Sequence, residues 1–169
     1  MSRAERAREG SAVSYEIEPT TGHDLLEVVE IEETSGLSRW GWESYSAELS
    51  RPESIMLVAR RRQPDDTGRR LHGFVAARVN ADEMHINNIG VREEARRQGV
   101  GGALLLAALG AGRRLGAETA LLEVRAGNLP AQALYRSRGF EAVGCRRNYY
   151  REPPEDALVM RADLKIAPA

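Results

Sequence analysis

The chain has 169 residues, a length that suits one domain able to bury a core without disulfides or metals. Its 24 Lys and Arg nearly balance 25 Asp and Glu, which excludes the basic excess of a nucleic-acid binder and the composition of an acidic disordered tail. The single cysteine, Cys145, rules out an intramolecular disulfide framework and a multi-cysteine zinc site, and fits a reducing cytoplasm.

Met1 to Ala12 is polar, carries Arg3, Arg6 and Arg8, and lacks an apolar run of signal-peptide length; it is expected to be a frayed tail ahead of one domain over 13–166. Tyr15 to Glu18 reads as a first strand. Thr20 or Thr21 then stands where it can cap a helix whose apolar face is Leu25, Leu26, Val28, Val29 and Ile31. A second helix covers Trp42 to Leu49. The β-rich runs Ile55 to Arg60 and Leu71 to Val79 flank a loop, Arg61 to Arg70, where Gln63, Pro64, Asp65, Asp66 and Gly68 gather, and Met84 to Val91 completes three neighbouring antiparallel strands.

From Gly99 to Leu115 small residues and leucines form a helix, followed by an apolar strand, Ala120 to Val124, and a helix from Leu129 to Ser137 that stops at Gly139. Glu141 to Arg147 and Ala157 to Ala162 are closing strands. The order β, α, α, β, β, β, α, β, α, β, β implies an α/β sheet of mixed direction. The most apolar run, Ala103 to Leu109, is far short of the roughly 20 residues that span a bilayer, so no membrane partner is expected.

The segment Arg96, Arg97, Gln98, Gly99, Val100, Gly101, Gly102 follows a strand and opens a helix. Glycines let the main chain approach a ligand, free amides at a helix start point at a pyrophosphate, and the arginines add fixed positive charge. A plain turn with solvated arginines has the same composition. A dinucleotide fingerprint would need its tight turn directly after the strand and a third glycine, and a nucleotide-triphosphate loop would need Lys and Ser or Thr where Ala103 follows Gly102.

The spacing from Arg96 to Gly99 and Gly101 resembles the acyl-CoA signature of the GNAT superfamily of N-acetyltransferases. From about Asn88 to Met160 the chain is similar to the bacterial ribosomal-protein-alanine N-acetyltransferases, the RimI family. The resemblance rests on Asn88-Ile89-Gly90-Val91, the Arg96 to Gly102 loop, Leu122-Glu123-Val124-Arg125-Ala126-Gly127-Asn128, Ala133 to Phe140, and Arg146-Arg147-Asn148-Tyr149-Tyr150 with Glu155-Asp156-Ala157. It implies the GNAT fold: one mixed, mostly antiparallel sheet of about seven strands, about four flanking helices, and a splayed central strand pair that admits acetyl-CoA. It also implies transfer of acetyl to the α-amine of a peptide, the alanine-starting N-terminus of a small-subunit ribosomal protein, by direct attack in a ternary complex of a monomer or weak dimer. No metal is involved.

Chemistry gives these residues jobs. An α-amine, with a pKa of roughly 7.7 to 8.0, is largely protonated near neutrality and needs a proton acceptor before it can attack a thioester. Glu123, at the end of an apolar strand, is expected to be the base, with burial raising its pKa; the alternative is a strand-end carboxylate paired with Arg125 or another arginine. Tyr135, twelve positions on, is the matching acid for the departing thiolate, or else a core tyrosine with a wet hydroxyl. The resemblance assigns Ile89, Gly90, Val91, the Arg96 to Gly102 loop and Asn128 to the cofactor, although Asn128 can equally cap the next helix. Acceptor binding falls to Glu33, Trp42, Tyr149 and Tyr150. Glu27, Glu30, Glu32 and Glu33 either draw in a basic peptide or form a solvated helix face. The same fold could instead acetylate a small amine or a lysine, or bind acetyl-CoA as a non-catalytic sensor.

Overall fold

The computed structural model describes residues 13–166, so the expectation of a frayed tail over 1–12 lies outside the described residues. Four helices and seven strands follow the order read from the sequence: β1 (Tyr15–Pro19), α1 (Leu25–Thr34), α2 (Gly41–Leu49), β2 (Ser54–Arg61), β3 (Leu71–Asn80), β4 (Glu83–Val91), α3 (Val100–Arg114), β5 (Thr119–Arg125), α4 (Leu129–Arg136), β6 (Glu141–Arg151) and β7 (Pro154–Asp163). They form one sheet of order β1-β2-β3-β4-β5-β7-β6, in which only the β4–β5 pair is parallel. This is the mixed, mostly antiparallel sheet that the resemblance implied.

Alternation along the strands divides the core in two. Ile55, Ala59, Val75 and Ala77 face α3 with its Leu104, Leu105, Ala108 and Leu109, whereas Met56, Val58, Phe74 and Ala76 face Leu25, Val28 and Ile31 of α1 and Tyr45 of α2. The period of two in β2 and β3 thus feeds both layers, which is why β3 is buried along nearly its whole length. The start of α1 is fixed by a capping box: the Thr21 amide donates to Asp24 Oδ2 at 2.8 Å at the head of a short 3-10 turn that runs into the helix. Leu26, expected on the apolar face, is exposed instead, because it lies on the side of α1 turned away from the sheet.

One irregularity positions the site. β4 pairs with β3 without a break except between Ala76 and Ala77, where Asn87 is an extra residue on β4. That bulge inverts the alternation. Before it, Met84 and Ile86 face α3; after it, Asn88 and Gly90 turn to the α1 side, where a Cβ on Gly90 would lie 2.8 Å from Phe74 and 2.9 Å from Ile31. At the same place the parallel pairing ends. β4 and β5 are in register from Glu83↔Thr119 to Ile86↔Leu122 and then separate, β4 staying with β3 and β5 with β7. A V-shaped slot opens between Asn87–Val91 on one side and Glu123–Arg125 on the other.

Candidate functional site

The slot is the core of a cleft of about 730 Å³. One end is the loop after β4. Its backbone turns through a 3-10 turn, Glu93–Ala95, then through Arg97 at φ 60° and Gly99 at φ 82°, before α3 begins. Glycine is favoured at position 99 because a left-handed φ strains a residue with a side chain. Gly99 at the N-cap has no side chain to cap α3, and among the described residues none does so, which leaves the first amides of the helix to a ligand. Arg96 supports the loop: its Nε donates to the Val91 carbonyl at 3.0 Å and its guanidinium reaches the Thr34 carbonyl at 3.4 Å, tying the end of β4 to the end of α1. Arg97, Gly99, Val100, Gly101 and Gly102 all line the cleft.

Glu123 stands one residue past the last β4–β5 pair, at the fork of the slot. Its Oε2 lies 2.6 Å from Nε2 of His85, and the Nε of Arg146 is 3.4 Å from its Oε1. The sequence-based expectation of a raised Glu123 pKa is corrected here. The His85 hydrogen bond, helped by the charges of His85 and Arg146, outweighs burial and holds the carboxyl below its usual value. His85 moves the opposite way, above its ordinary 6.5, chiefly because of the same hydrogen bond. The alternative reading, a carboxylate paired with Arg125 or another arginine, is met in part: Arg146 is the arginine beside Glu123, whereas Arg125 does not touch it. Arg125 turns to Gly36, Tyr150 and the β6–β7 turn.

Tyr135 comes from α4, is nearly fully buried, packs its ring against Phe140 at 5.9 Å and still lines the cleft. Burial pushes its hydroxyl up to about 12, so it holds its proton at neutral pH. Asn128 both lines the cleft and caps α4, its Oδ1 accepting from the Ala131 amide at 3.2 Å.

At the other end two walls approach each other. The Ser35 to Trp40 segment between α1 and α2 is shaped by Glu32, which is buried: it accepts from the amides of Trp40 at 2.7 Å and Gly41 at 3.1 Å, from Tyr45 Oη at 2.8 Å, and from Asn88 Nδ2 at 3.4 Å. Burial and the Glu32 charge push the Tyr45 hydroxyl upward in turn. The facing wall carries Tyr149 and Tyr150, edge to face at 5.1 Å, with Arg125 over the Tyr150 ring at 4.2 Å.

Some expected site residues fall elsewhere. Gly90 is not on the cleft; its open side receives Phe74 and Ile31, so the glycine serves the packing of α1 and not a cofactor's approach. Gln98 is turned outward, donating to the Glu94 carbonyl and accepting from the Val13 amide. Trp42 is half-exposed on α2 and Glu33 is exposed on α1, and neither lines the cleft. Nor do the glutamates form an acidic wall. Glu27 and Glu30 pair with buried Arg92 at 3.0 and 3.1 Å, Glu30 also meets Arg69, and Glu32 is consumed by the loop, leaving Glu33.

His85 and Leu37 line the cleft and were not singled out from the sequence; Trp40 and Asn88, which carried no assigned role, line it too. Only the β4–β5 register could have found His85: opposite Leu121, it shares the Glu123 side of β5. Among the described residues no cluster of three or more His, Cys, Asp or Glu is arranged to hold a metal ion, and no helix is long and apolar enough to cross a membrane.

Comparison with known proteins agrees with this geometry. The acetyltransferase (GNAT) family model matches residues 25–140. The chain is 41% identical over 99 residues to the ribosomal protein bS18-alanine N-acetyltransferase of Escherichia coli, covering 57% of this chain and 67% of that protein. It is 35% identical over 128 residues to the N-alpha-acetyltransferase RimI of Mycobacterium tuberculosis, covering 73% of this chain and 75% of that one. The crystal structure of the Escherichia coli ribosomal-protein-alanine N-acetyltransferase superposes with a TM-score of 0.78 at 29% identity, over 91% of this chain and 96% of the other.

Proposed function

The chain belongs to the GNAT acetyltransferase family, and on that premise we propose that it moves acetyl from acetyl-CoA to the N-terminal alanine of ribosomal protein bS18, or of a protein with a similar start, in the cytoplasm. The observation that carries the reading is the fork between β4 and β5 with a carboxylate at its base. The fit to acetyl-CoA is good on this chain's own features. Past the bulge, β4 has an edge without a strand partner for a pantetheine arm, and the uncapped start of α3, with Arg97 beside it, suits a pyrophosphate. The bound molecule supplies an activated acetyl thioester.

The residues then divide the proton work. Glu123 and His85 together take the proton that the α-amine must shed. When His85 is charged, the pair is a satisfied ion pair with little basicity; when the imidazole is neutral, the pair can accept. Tyr135, un-ionised at neutral pH, holds at Oη the proton a departing thiolate needs. Tyr149, Tyr150, Leu37 and Trp40 enclose the first residues of the peptide. A direct attack needs no enzyme nucleophile, and Cys145 lies exposed on β6.

Thiol release with an alanine-starting peptide, small amines and free lysine, for the native protein and Glu123→Gln, tests the reading. The expected result is preference for the peptide and a fall in kcat of about 10²- to 10⁴-fold in the variant. In the native protein kcat should fall as pH drops through the raised His85 value, because that group must be neutral to accept. Turnover on small amines alone sinks the N-terminal reading, and tight acetyl-CoA binding without turnover makes the protein a sensor.

A further inference from the structure

Arg125 is the last residue of β5 and sits between the two acceptor walls without belonging to either. Its Nε donates to the Gly36 carbonyl at 3.1 Å on the α1–α2 side. Its two terminal nitrogens donate to the Pro153 and Glu152 carbonyls, each at 3.0 Å, on the β6–β7 side. Glu155 is 3.4 Å from one of those nitrogens, and the Tyr150 ring covers the guanidinium face. Glu155 in turn accepts from the Gly127 amide at 2.6 Å, so the β6–β7 turn is also anchored to the end of β5. The guanidinium therefore spans the mouth, bonded to three main-chain carbonyls on two segments more than a hundred residues apart in sequence.

A planar fork with five donors can hold two such walls at one separation, whereas an ammonium, a compact point charge, cannot satisfy both sides at once. Main-chain carbonyls are the acceptors, so the spacing is imposed on the backbone and not merely on mobile side chains. We infer that Arg125 is a specificity-determining residue: it fixes the width of the acceptor mouth, so that a peptide with a small first side chain enters and one with a bulky first side chain is excluded. The inference rests on the N-terminal acetyltransferase reading above. Arg125 does not move protons in it. Four of its five N–H groups are bonded to the walls, and the proton acceptors are Glu123 and His85.

The test uses two peptides identical except for alanine or leucine at the first position, with the native protein, Arg125→Lys and Arg125→Ala, and a thermal melt for each. The native protein should favour the alanine peptide, and both variants should lose about tenfold of that preference through better use of the leucine peptide, with the KM for acetyl-CoA unchanged. Arg125→Lys keeps the charge and most of the stem, so a variant that folds but cannot bridge is available even if Arg125→Ala is unstable. An unchanged ratio of the two peptides, or an equal fall on both, overturns the inference and leaves the N-terminal reading standing. A native protein that acetylates neither peptide overturns both.

Discussion

At the α3 end of the cleft the wall is one continuous stretch, Val91 to Gly102, and what it offers a ligand is mostly main chain, free amides and a left-handed glycine, next to the strand edge left open past the bulge at Asn87. The other end, where the acceptor is proposed to enter, is assembled differently. Gly36, Trp40, Arg125, Tyr150 and Pro153 meet there from three distant parts of the chain, and side chains hold them: Glu32 shapes one wall and Arg125 joins it to the other. A ligand common to a whole family can be met by backbone that few substitutions alter. A wall made of side chains can change acceptor without disturbing the cofactor end.

If the two ends are this separate, changes at one should leave the other's constants alone. After Glu123→Gln, the largest effect is expected for Tyr135→Phe, which keeps the packing on Phe140 but removes the acid: kcat should fall about a hundredfold while the ranking of peptides stays as it was. A changed ranking in steady-state assays would mean that α4 also shapes the acceptor wall. Next comes Glu32→Gln. An amide cannot accept from both backbone amides and the Tyr45 hydroxyl as a carboxylate does, so denaturant unfolding should show a loss of about 2 kcal/mol. The KM for peptide should rise with the KM for acetyl-CoA unmoved, and an equal rise in both would break the separation. The smallest effect is predicted for Gly99→Ala. Forcing an alanine to φ 82° costs about 1–2 kcal/mol. Since nothing lies within 4 Å of the added Cβ, the cost is backbone strain at the α3 N-terminus, read as a several-fold higher KM for acetyl-CoA with an unaltered KM for peptide.

The same division explains which parts of the site were legible in the sequence. The glycines and arginines of the phosphate loop, Asn128 as a cap and Tyr135 on α4 are marked by short-range spacing, and all of them line the cleft, whereas Gln98 and Gly90 do not. Gly90 misled because a strand glycine next to a binding loop suggests a ligand's approach, whereas the bulge at Asn87 turns that position toward Phe74 and Ile31. Glu123 lies at the fork, but its expected pKa direction was wrong, since burial can be guessed from an apolar strand and a histidine on a neighbouring strand cannot. The glutamates of α1 looked like an acidic face because their partners, Arg92, Arg69 and the Trp40 and Gly41 amides, come from elsewhere in the chain.

Hydrophobic periodicity and turn residues by themselves determined the order of eleven elements, because each is set by interactions within a few residues, and that order in turn implied a sheet of mixed direction. Tertiary structure alone decided where the parallel pair separates, which face Asn88 and Gly90 take after the bulge, that His85 meets Glu123, and that Arg125 bridges the two acceptor walls. Each of these depends on inter-strand register or loop closure, where the shift of one residue turns a side chain to the opposite face and no local signal records the choice.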